Sequence, residues 1–523
     1  MLDLAVYIVG AVSLATVLLI WISLYSSTNV SGLPFPPGPP QLPLLGNLLD
    51  INTAEPWTTY TAWREKYGEI VYSRLLGQDY IIINSARVAK ALLDQRSSKY
   101  SGRPVFSIKK NFSVDWMTGF LDYTDELKLH RKLFHQTLRS EAAAKYQDLY
   151  LRKARELVSN ILVNSDDTKL RDHLKTFAGS LVMAVTYGYE AALENDPFVT
   201  RVSELTDIIN VLARPERAAL VDAFPILHYL PAWFPGFGFK RLIPRCHRLV
   251  QEVRNAPFEY TREEVANGTA SHSMVSDFLQ NQMDNGENSS EKKADLERAM
   301  KATAASVFVG VFSICTSSTL LTFMLAMVLY PRVQERACAE IDAVVGSSRL
   351  PNFDDRPSLP YVEAVLREVI RWHSISPLGL PHATTTSDTF EGYYIPKGAI
   401  IIGNAWALSH TSSDPNDDAQ FNPDRYLSTD GKYSPATAFT ADPAFGFGRR
   451  ICPGRFFAEG SAWAAIVTVL SVLRIGKARD AQGKEIEVKG DFTTGASAIH
   501  PVHFRCSITS GSPEKESSLR MGL

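Results

Sequence analysis

The chain has 523 residues, of which 45% are hydrophobic and 21% charged, and no low-complexity linker divides its middle, which allows one large domain. Its 54 basic and 56 acidic residues leave a formal net charge of −2, which excludes a basic field for nucleic acid and an acidic field for cationic partners. The five cysteines are odd in number and widely scattered, which argues against a disulfide framework and favours a reducing compartment for the domain.

The N-terminal segment departs from ordinary globular composition. From Leu4 to Tyr25 the sequence carries no charged residue, and such a run is long enough for a helix to cross a hydrocarbon core of about 30 Å. A cleaved signal peptide is the alternative, but it usually has a basic start and a shorter apolar core, whereas Asp3 precedes this run. The sequence therefore predicts a membrane anchor in residues 1–27.

The next residues, GLPFPPGPPQLP at positions 32–43, are rich in proline, which cannot continue a helix and favours a stiff, extended connector. We therefore predict a hinge over residues 28–43, between the anchor and one packed domain over residues 44–509. The polar residues 510–523 are predicted to form a disordered tail.

Within the domain, the patterning predicts mostly helices and a few strands. The apolar, β-branched runs in IVYSRLLGQDYIIINS predict a hairpin around Gly77 and Gln78. Helical spacing of apolar residues occurs in VAKALLDQ, in AAAKYQDLYLRKARELVSNILV and in VQERACAEIDAVV. The polar stretch at 267–293 predicts an excursion on the surface.

A charged pair lies on a predicted helix, LPYVEAVLREVIRWH, where Glu368 and Arg371 are three residues apart on one face. Arg425 follows downstream in FNPDRYL. Taken alone, an exposed pair of this kind contributes less than about 1 kcal/mol of stability. These residues by themselves therefore favour an ordinary surface ion pair.

The stretch PAFGFGRRICPGRFFAEG places a single cysteine between a glycine- and arginine-rich segment and the start of a predicted helix. Gly446, Gly448 and Gly454 allow tight turns and close approach to a partner. Pro453 suits the first turn of a helix. Free N–H groups and the positive end of the helix dipole there favour the thiolate form of Cys452 over the thiol.

A thiolate in this position acts either as a nucleophile or as a metal ligand. A nucleophile needs a partnered histidine, but the nearest ones, His410 and His500, carry no local mark of a general base. A zinc site needs further ligands at short spacing, and the sequence has no C-x-x-C or H-x-E motif. A single thiolate ligand to a haem iron fits best, with Arg449 or Arg450 available for the carboxylates of the porphyrin.

The spacing Phe445-x-x-Gly448-x-Arg450-x-Cys452-x-Gly454 resembles the haem-binding signature of the cytochrome P450 family at every defining position. The resemblance implies a mainly α fold with small β-sheets, preceded here by the single transmembrane helix. It also implies haem b, an iron protoporphyrin IX, as the cofactor bound by these signature residues. Cys452 is then the axial thiolate ligand.

Two further segments are similar to family motifs that bind the haem propionates. In TDELKLHRKLFHQTL, Arg131 stands where a family arginine meets a propionate, with His130 beside it, although the usual tryptophan is Leu127 here. In PLGLPHATT, His382 stands where the family commonly has a basic residue that reaches a propionate. A histidine packed in a turn is the alternative for His382.

The resemblance also changes the interpretation of the charged pair. It implies that Glu368, Arg371 and Arg425 form the buried network that braces the haem loop in this family. Breaking one member of such a network strands a buried charge and costs several kcal/mol.

The segment ADLERAMKATAASVFVGVFSICTSSTLLTFMLAM departs from the family pattern. It is similar to the helix that crosses the distal face of the haem, where an acid and a threonine usually pass protons. Alignment through TFMLAM puts Phe312 at the usual glycine, Ile314 at the acid and Cys315 at the threonine. No Asp or Glu occurs between Glu297 and Glu335, so the usual proton donor is missing.

Hydroxyl groups can replace that pair because they both donate and accept hydrogen bonds. Thr316, Ser313 and Ser317 could hold a water chain, and Gly310 could shift the register of the helix. We predict Thr316 and Cys315 as the catalytic residues on the distal side, with either Thr316 and an ordered water or Cys315 itself as the proton relay.

The resemblance implies a haem-thiolate monooxygenase that inserts one oxygen atom from O2 into an apolar small molecule, such as a terpenoid of fungal secondary metabolism. The chain has no nucleotide-binding glycine loop and no flavin domain, so its electrons come from a separate NADPH–cytochrome P450 reductase. A haem-thiolate dehydratase, isomerase or peroxide user without a reductase, and a non-catalytic haem sensor, are the alternatives. The basic residues proposed for docking the reductase are Lys128, Lys132, Arg449 and Arg455.

The apolar segment FPILHYLPAWFPGFGF, residues 224–239, is similar to the family segment that enters the membrane beside the substrate entrance. Alone it would pass for core. Together with the anchor it implies a single-pass protein of the endoplasmic reticulum membrane, with its catalytic domain in the cytosol.

Overall fold

The computed structural model describes residues 32–521, apart from 106, 194, 213–220, 225–226, 228, 285–289, 311–314, 412–413, 435–442 and 496–498. The predicted anchor over 1–27 lies outside these residues, and so do Phe312, Ser313 and Ile314. The described chain is mainly helical with small β-sheets, which confirms the predicted fold class for this part of the molecule.

Long helices build most of the domain, and short helical turns connect them. In chain order the helices are α1 (Pro56–Tyr67), α2 (Ala86–Ala89), α3 (Ser97–Tyr100), α4 (Ser107–Asn111), α5 (Asp125–Leu138), α6 (Ser140–Ala143), α7 (Gln147–Val163), α8 (Leu170–Tyr187), α9 (Pro197–Leu212), α10 (Ile243–Asn267), α11 (Met274–Asp284), α12 (Ser290–Gly310), α13 (Thr316–Leu329), α14 (Pro331–Val345), α15 (Pro360–Trp372), α16 (Ala405–Ser409), α17 (Pro415–Ala419), α18 (Arg455–Val472) and α19 (Pro513–Met521).

The strands form small sheets. They are β1 (Ile70–Leu75), β2 (Gln78–Ile83), β3 (His382–Ala383), β4 (Asp388–Phe390), β5 (Tyr393–Ile395), β6 (Ile400–Gly403), β7 (Leu473–Lys477) and β8 (Cys506–Ser510). One sheet has the order β1-β2-β6-β3, with β2 and β6 parallel, and the pairs β4-β5 and β7-β8 are separate. The predicted hairpin is confirmed: β1 and β2 pair Leu75 with Gln78, and Leu76 (φ 49°) and Gly77 (φ 87°) form the two-residue turn.

The main apolar core lies among the long helices. From Gly460 to Val472 every residue of α18 is buried, and this helix packs on α7, α13, α14 and α15. Two smaller apolar clusters cover the faces of the β1-β2-β6-β3 sheet. Because α18 begins at Arg455, shortly after Cys452, the core fixes the direction in which the chain leaves the cysteine.

Within the described residues, α18 is also the one helix long and apolar enough to cross a bilayer, but 78% of it is buried inside the protein. A helix that is apolar all round is typical of a core position. Its composition is therefore explained by packing.

The proline-rich stretch is packed against the domain. The backbone N–H of Tyr72 donates to the carbonyl of Pro37 at 2.9 Å, and that of Tyr394 donates to the carbonyl of Pro34 at 2.8 Å. Phe35 stacks on Tyr72 with ring centroids 4.5 Å apart. The packed part of the chain therefore starts before residue 44, and residues 34–40 belong to it.

Two segments that the sequence suggested to be irregular are helical. Part of the polar stretch forms α11, which buries Met274 and Val275. The predicted disordered tail contains α19, in which Leu519 is buried and the Lys515 ammonium donates to Asp342 of α14 at 2.5 Å. The disorder prediction is wrong for residues 513–521 because one apolar and one ion-paired side chain, four residues apart on a helix face, dock this end.

Candidate functional site

The cysteine loop, residues 443–454, depends on two glycines with positive φ, Gly446 (74°) and Gly448 (50°). A Cβ at Gly448 would lie 2.2 Å from the Leu93 carbonyl oxygen, so only glycine fits there. The Gly448 N–H donates to Asp94 Oδ1 at 2.5 Å. The loop is thus held tightly against the turn that follows α2.

The thiol of Cys452 lies between this loop and the start of α18, for which Gly454 is the N-cap residue. Burial raises the pKa of the Cys452 thiol, while the Gly454 N–H and the guanidinium groups of Arg131 and Arg455 lower it. Burial has the larger effect, so the helix terminus alone does not produce the thiolate that the sequence suggested. A bound metal cation would do so, because coordination deprotonates a thiol.

Arg131 and Arg450 both bind backbone carbonyls around this loop. Arg131 Nη1 donates to the Ile451 carbonyl at 2.6 Å, next to Cys452. Arg450 Nε donates to the Ser101 carbonyl and its Nη2 to the Leu121 carbonyl, both at 2.8 Å. The structure therefore brings both predicted arginines to the cysteine loop.

A third arginine, Arg103, lies in the same place and was missed by the sequence analysis. Its side chain is buried, and it donates to the carbonyls of Gly119 at 2.8 Å and of Leu380 and Pro381 at 2.7 Å. In the sequence it is a lone arginine before a proline, which carries no signal by itself. Only the contacts between distant segments reveal its position.

His382 completes this cation cluster, which we define as Arg103, Arg131, Arg450 and His382. His382 is 7% exposed, and its Nδ1 lies 2.8 Å from the Tyr100 carbonyl, so Nδ1 carries a proton because a carbonyl only accepts. Burial, with the charges of Arg103 and Arg450, lowers the pKa of His382 to about 3. The ring is therefore neutral, with Nε2 unprotonated.

The cluster has no carboxylate within ion-pair distance in the described part of the chain. Burial and the charge of Arg450 lower the pKa of Arg103 to about 9. Burial and the charge of Arg131, opposed by Asp122, lower the pKa of Arg450 to about 10. Buried and half-buried arginines that repel one another and form no ion pair are suited to bind an anionic group.

His130 is directed away from the cation cluster. Its side chain is fully buried, and its Nδ1 lies 2.9 Å from Thr118 Oγ1. Neighbouring residues on a helix project about 100° apart, so Arg131 and His130 cannot both face the cysteine loop. Of these two neighbours it is Arg131 that contacts the cysteine loop, while His130 contacts Thr118, so the role of His130 in cofactor binding stays a prediction.

On the distal side, Cys315 and Thr316 differ in environment. The side chain of Cys315 has accessible surface. Its thiol nevertheless lies deep in the protein, and burial, with the charge of Cys452, raises its pKa to about 12. Accessible surface on a deeply placed thiol means that Cys315 borders an interior space, within electrostatic reach of Cys452. Thr316 is 2% exposed, and its hydroxyl has no hydrogen-bond partner among the residues described.

The predicted network of Glu368, Arg371 and Arg425 is confirmed as a buried brace. Arg371 binds both oxygens of Glu368 at 2.7 and 2.8 Å, and Arg425 Nε donates to Glu368 Oε1 at 3.2 Å. Glu368 is fully buried and also accepts from the Asn422 N–H at 2.7 Å. The surface-pair interpretation is therefore excluded.

A second charged network, not predicted, joins α15 to α18. Arg367 binds both oxygens of Glu459 at 2.8 and 3.1 Å and also Glu363 at 3.1 Å. Arg356 donates to Glu363 from the other side at 3.0 Å. Since Glu459 lies in the first part of α18, this network holds the helix that follows Cys452.

The described part of the apolar segment at 224–239 lies largely on the surface, although Phe237 is buried. Tyr229 is 84% exposed, Trp233 is 74% exposed, and Phe224 and Phe234 are also exposed. Large exposed aromatic side chains grouped in one segment indicate an interaction surface.

A model of the cytochrome P450 family matches residues 36–499. The chain is 36% identical over 492 residues to cytochrome P450 monooxygenase claR of Ampulloclitocybe clavipes, an alignment that covers 93% of this chain and 88% of the relative. It is 37% identical over 515 residues to cytochrome P450 monooxygenase 226 of Postia placenta, with 98% and 94% covered. It is 32% identical over 491 residues to cytochrome P450 monooxygenase COX1 of Coprinopsis cinerea, with 93% of each chain covered.

Proposed function

The chain belongs to the cytochrome P450 family, and we propose that it is a haem-thiolate monooxygenase that inserts one oxygen atom from O2 into an apolar small molecule. The observation that carries the proposal is the cysteine loop beside one buried and two half-buried arginines, Arg103, Arg131 and Arg450, none of which forms an ion pair within the described chain. A thiolate ligand and two propionate-binding positions are what haem b requires.

The residues that would hold haem surround the cysteine loop. They are Cys452 as the axial ligand, Phe445, Gly448 and Gly454 as the loop that presents it, and Arg131, Arg450, Arg103 and His382 around the propionates. The bound haem supplies the redox chemistry that activates O2. A propionate beside His382 would favour the imidazolium form, whose Nε2–H can then donate to it.

The brace and the second network keep Cys452 in place during this chemistry. Glu368 anchors Arg371 and Arg425, and Arg367 anchors α18 through Glu459. An axial ligand must stay at a fixed position, and bidentate charge-assisted hydrogen bonds supply geometric specificity. We assign these residues to positioning.

Cys315 and Thr316 are the proposed proton donors on the distal side. A thiol is a weak donor, and the buried hydroxyl of Thr316 has no partner in the described chain, so an ordered water there would satisfy it. Because Cys315 is the one that borders the interior space, the structure favours Cys315 over Thr316 as the residue nearest the substrate. Of the two relays that the sequence left open, the proposal therefore prefers Cys315.

Electrons are proposed to come from an NADPH–cytochrome P450 reductase. Lys128, Lys132 and Arg449 are exposed, and Arg455 is half-buried at the start of α18, close enough to influence Cys452. A basic surface on the cysteine side would attract an acidic flavoprotein and shorten the path to the thiolate.

The membrane assignment is based on two segments of the chain, and the pathway assignment is based on the fungal relatives. An anchor over 1–27 and the exposed aromatic side chains of Tyr229 and Trp233 support a single-pass protein of the endoplasmic reticulum membrane that takes an apolar substrate from it. The fungal relatives are monooxygenases by name, which supports a role in fungal secondary metabolism, with a terpenoid as one suitable substrate.

The decisive experiment is the spectrum of the reduced haem protein with carbon monoxide. Thiolate ligation gives a strongly red-shifted Soret band, which Cys452→Ser should lose and Cys506→Ser, a replacement of another buried free cysteine, should keep. An unchanged spectrum in Cys452→Ser would contradict the proposed ligand. Co-expression with a reductase and metabolite profiling of the host would then identify the product.

A rearrangement or dehydration catalyst that needs no reductase is the second candidate, and the missing acid at Ile314 favours it. Oxygen activation requires delivered protons, whereas such a catalyst does not. Product formation by the purified haem protein without reductase and NADPH would establish this candidate instead of the monooxygenase.

A further inference from the structure

His130 is buried beside the haem site yet makes no contact with the cation cluster, and its one hydrogen bond leads elsewhere. Thr118, its partner, lies in the bridging loop, which we define as residues 112–124 between α4 and α5. The Thr118 hydroxyl is 2.9 Å from His130 Nδ1 and 3.3 Å from Ser306 Oγ, and its backbone N–H donates to Ser306 Oγ at 3.1 Å. One side chain of α5 is thus joined to α12 through a single threonine.

The α12 end of this chain faces the interior. Ser306 and Gly310 are four residues apart on one face of α12 and keep accessible surface, although the helix is otherwise buried from 302 to 309. A Cβ placed on Gly310 would meet nothing within 4 Å. This face therefore has free space beside it, and Ser306 ties the bridging loop to its edge.

The other end of the loop carries the carbonyls that hold the cation cluster. Gly119 accepts from Arg103, and Leu121 accepts from Arg450. Both carbonyls lie within three residues of Thr118, which is the anchored point. A shift of Thr118 would therefore move the acceptors of two arginines as well as the edge of the interior space.

The chemistry of the imidazole is set by its surroundings. Burial and the charge of Arg254 lower the pKa of His130 to about 4, so the ring is neutral. Its Nε2 is buried without a hydrogen-bond partner in the described chain, which leaves Nδ1 as the atom that makes the contact. A neutral ring in a fixed tautomer holds one geometry with Thr118.

On the basis of the proposed function, we propose that His130 is a positioning residue. Through Thr118 it fixes the bridging loop against α12. It thereby sets both the width of the substrate space and the strength with which Arg103 and Arg450 bind the cofactor. It touches neither the substrate nor the cofactor. Ordinary core packing of a histidine is the alternative, and the two make different demands on the side chain, because packing needs only volume whereas positioning needs the Nδ1 contact.

The test uses the haem-loaded protein and five variants. His130→Leu removes both nitrogens, His130→Asn keeps an amide close to the place of Nδ1, and His130→Gln carries its amide one bond further, closer to Nε2. Thr118→Val removes the hydroxyl at constant shape, with Thr118→Ser as its matched control. The first probe is 4-phenylimidazole, whose phenyl group occupies the substrate space, compared with imidazole, which is too small to meet the loop.

We expect His130→Leu, His130→Gln and Thr118→Val to bind 4-phenylimidazole about tenfold more weakly, the effect of one lost buried hydrogen bond, with imidazole affinity within about twofold of wild type. Haem transfer to excess apomyoglobin should be faster by a similar factor in the same three variants. His130→Asn and Thr118→Ser should restore both readouts. This pattern separates the Nδ1 contact from packing.

Wild-type affinity and haem retention in His130→Leu would overturn the inference. So would equal losses in the Leu, Asn and Gln variants, because that result assigns the effect to volume. If His130→Leu does not fold, the comparison of Thr118→Val with Thr118→Ser decides alone, since equal values in these two contradict the proposal. The proposed function fails separately, when the wild-type protein lacks the red-shifted carbon monoxide band that Cys452→Ser should abolish.

Discussion

Helix α18, which begins shortly after Cys452, is joined to α15 by charged side chains, whereas the bridging loop is joined to α5 and α12 by neutral hydrogen bonds. In the first region Glu368 and Glu459 each bind arginine through both carboxylate oxygens. In the second region Thr118 alone connects His130 to Ser306.

This difference follows from what each region has to do. The proposed axial ligand, Cys452, must stay in one position. Buried charged networks give a single geometry, although removal of one member costs a large part of the stability. A substrate space has to open and close, and single neutral hydrogen bonds contribute only about 1 kcal/mol each. The charged region also matches the family signature in sequence, while the other departs from it at Ile314 and Cys315.

The largest expected effect lies in the charged region. Glu368→Ala leaves Arg371 buried without its carboxylate and should lower the free energy of unfolding by about 3–5 kcal/mol, with loss of haem incorporation. The measurement is denaturant unfolding together with the haem to protein ratio. Asp295→Asn, which breaks an exposed ion pair with Arg298, is the control and should change neither quantity. A normal unfolding midpoint in Glu368→Ala would remove the contrast between the regions.

We expect the pH dependence of the unfolding free energy to report on two buried histidines, His130 beside the bridging loop and His410 near Arg371 of α15. Burial lowers the pKa of His130 and of His410 to about 4, against about 6.5 in an unfolded chain. Below about pH 6.5 the unfolded state therefore binds protons that the folded state does not, and each histidine costs about 1.4 kcal/mol of stability per pH unit down to about pH 4.

Replacement of His410 by Phe, which keeps an aromatic ring on Trp406, should reduce this slope by one proton between pH 6.5 and 5. The measurement is the urea unfolding free energy as a function of pH, with His135→Phe, a replacement of an exposed histidine, as the control. An identical slope in wild type and His410→Phe would show that His410 is charged in the folded protein.

The exposed aromatic residues of segment 224–239 test whether this segment contacts the membrane. In a chain that lacks residues 1–27, Trp233→Ser should lower the fraction bound to phospholipid vesicles about fivefold, because roughly half of an aromatic side chain is no longer buried. Haem content should not change. Val163→Ser, at an exposed apolar residue elsewhere, is the matched control, and equal losses in both variants would assign the binding to general surface hydrophobicity.

The smallest effect is expected at Cys315. A hydroxyl donates more strongly than a thiol, so Cys315→Thr should raise product formed per NADPH and lower peroxide release, by less than about tenfold. Thr316→Val should change both less, since its hydroxyl is buried away from the interior space. The opposite ranking, measured from product, NADPH and peroxide together, would establish Thr316 as the main relay.

Local chemistry explains what could be predicted without coordinates. The cysteine loop is encoded within a few residues, because Gly446 and Gly448 supply positive φ angles that other residues resist. Glu368 and Arg371 share a helix face by spacing alone. The β1-β2 hairpin follows from β-branched runs around a two-residue turn. The sequence by itself therefore determined the family, the turns of the cysteine loop and the contact between Glu368 and Arg371.

Tertiary structure decided the properties that depend on helix phase and on contacts between distant segments. His130 and Arg131 are adjacent in sequence, yet the phase of α5 directs one to Thr118 and the other to the Ile451 carbonyl. Arg103 joins the cation cluster only because residues 119 and 380–381 fold around it. Such contacts are separated by up to hundreds of residues along the chain, so no local pattern records them, and packing of the whole core selects them.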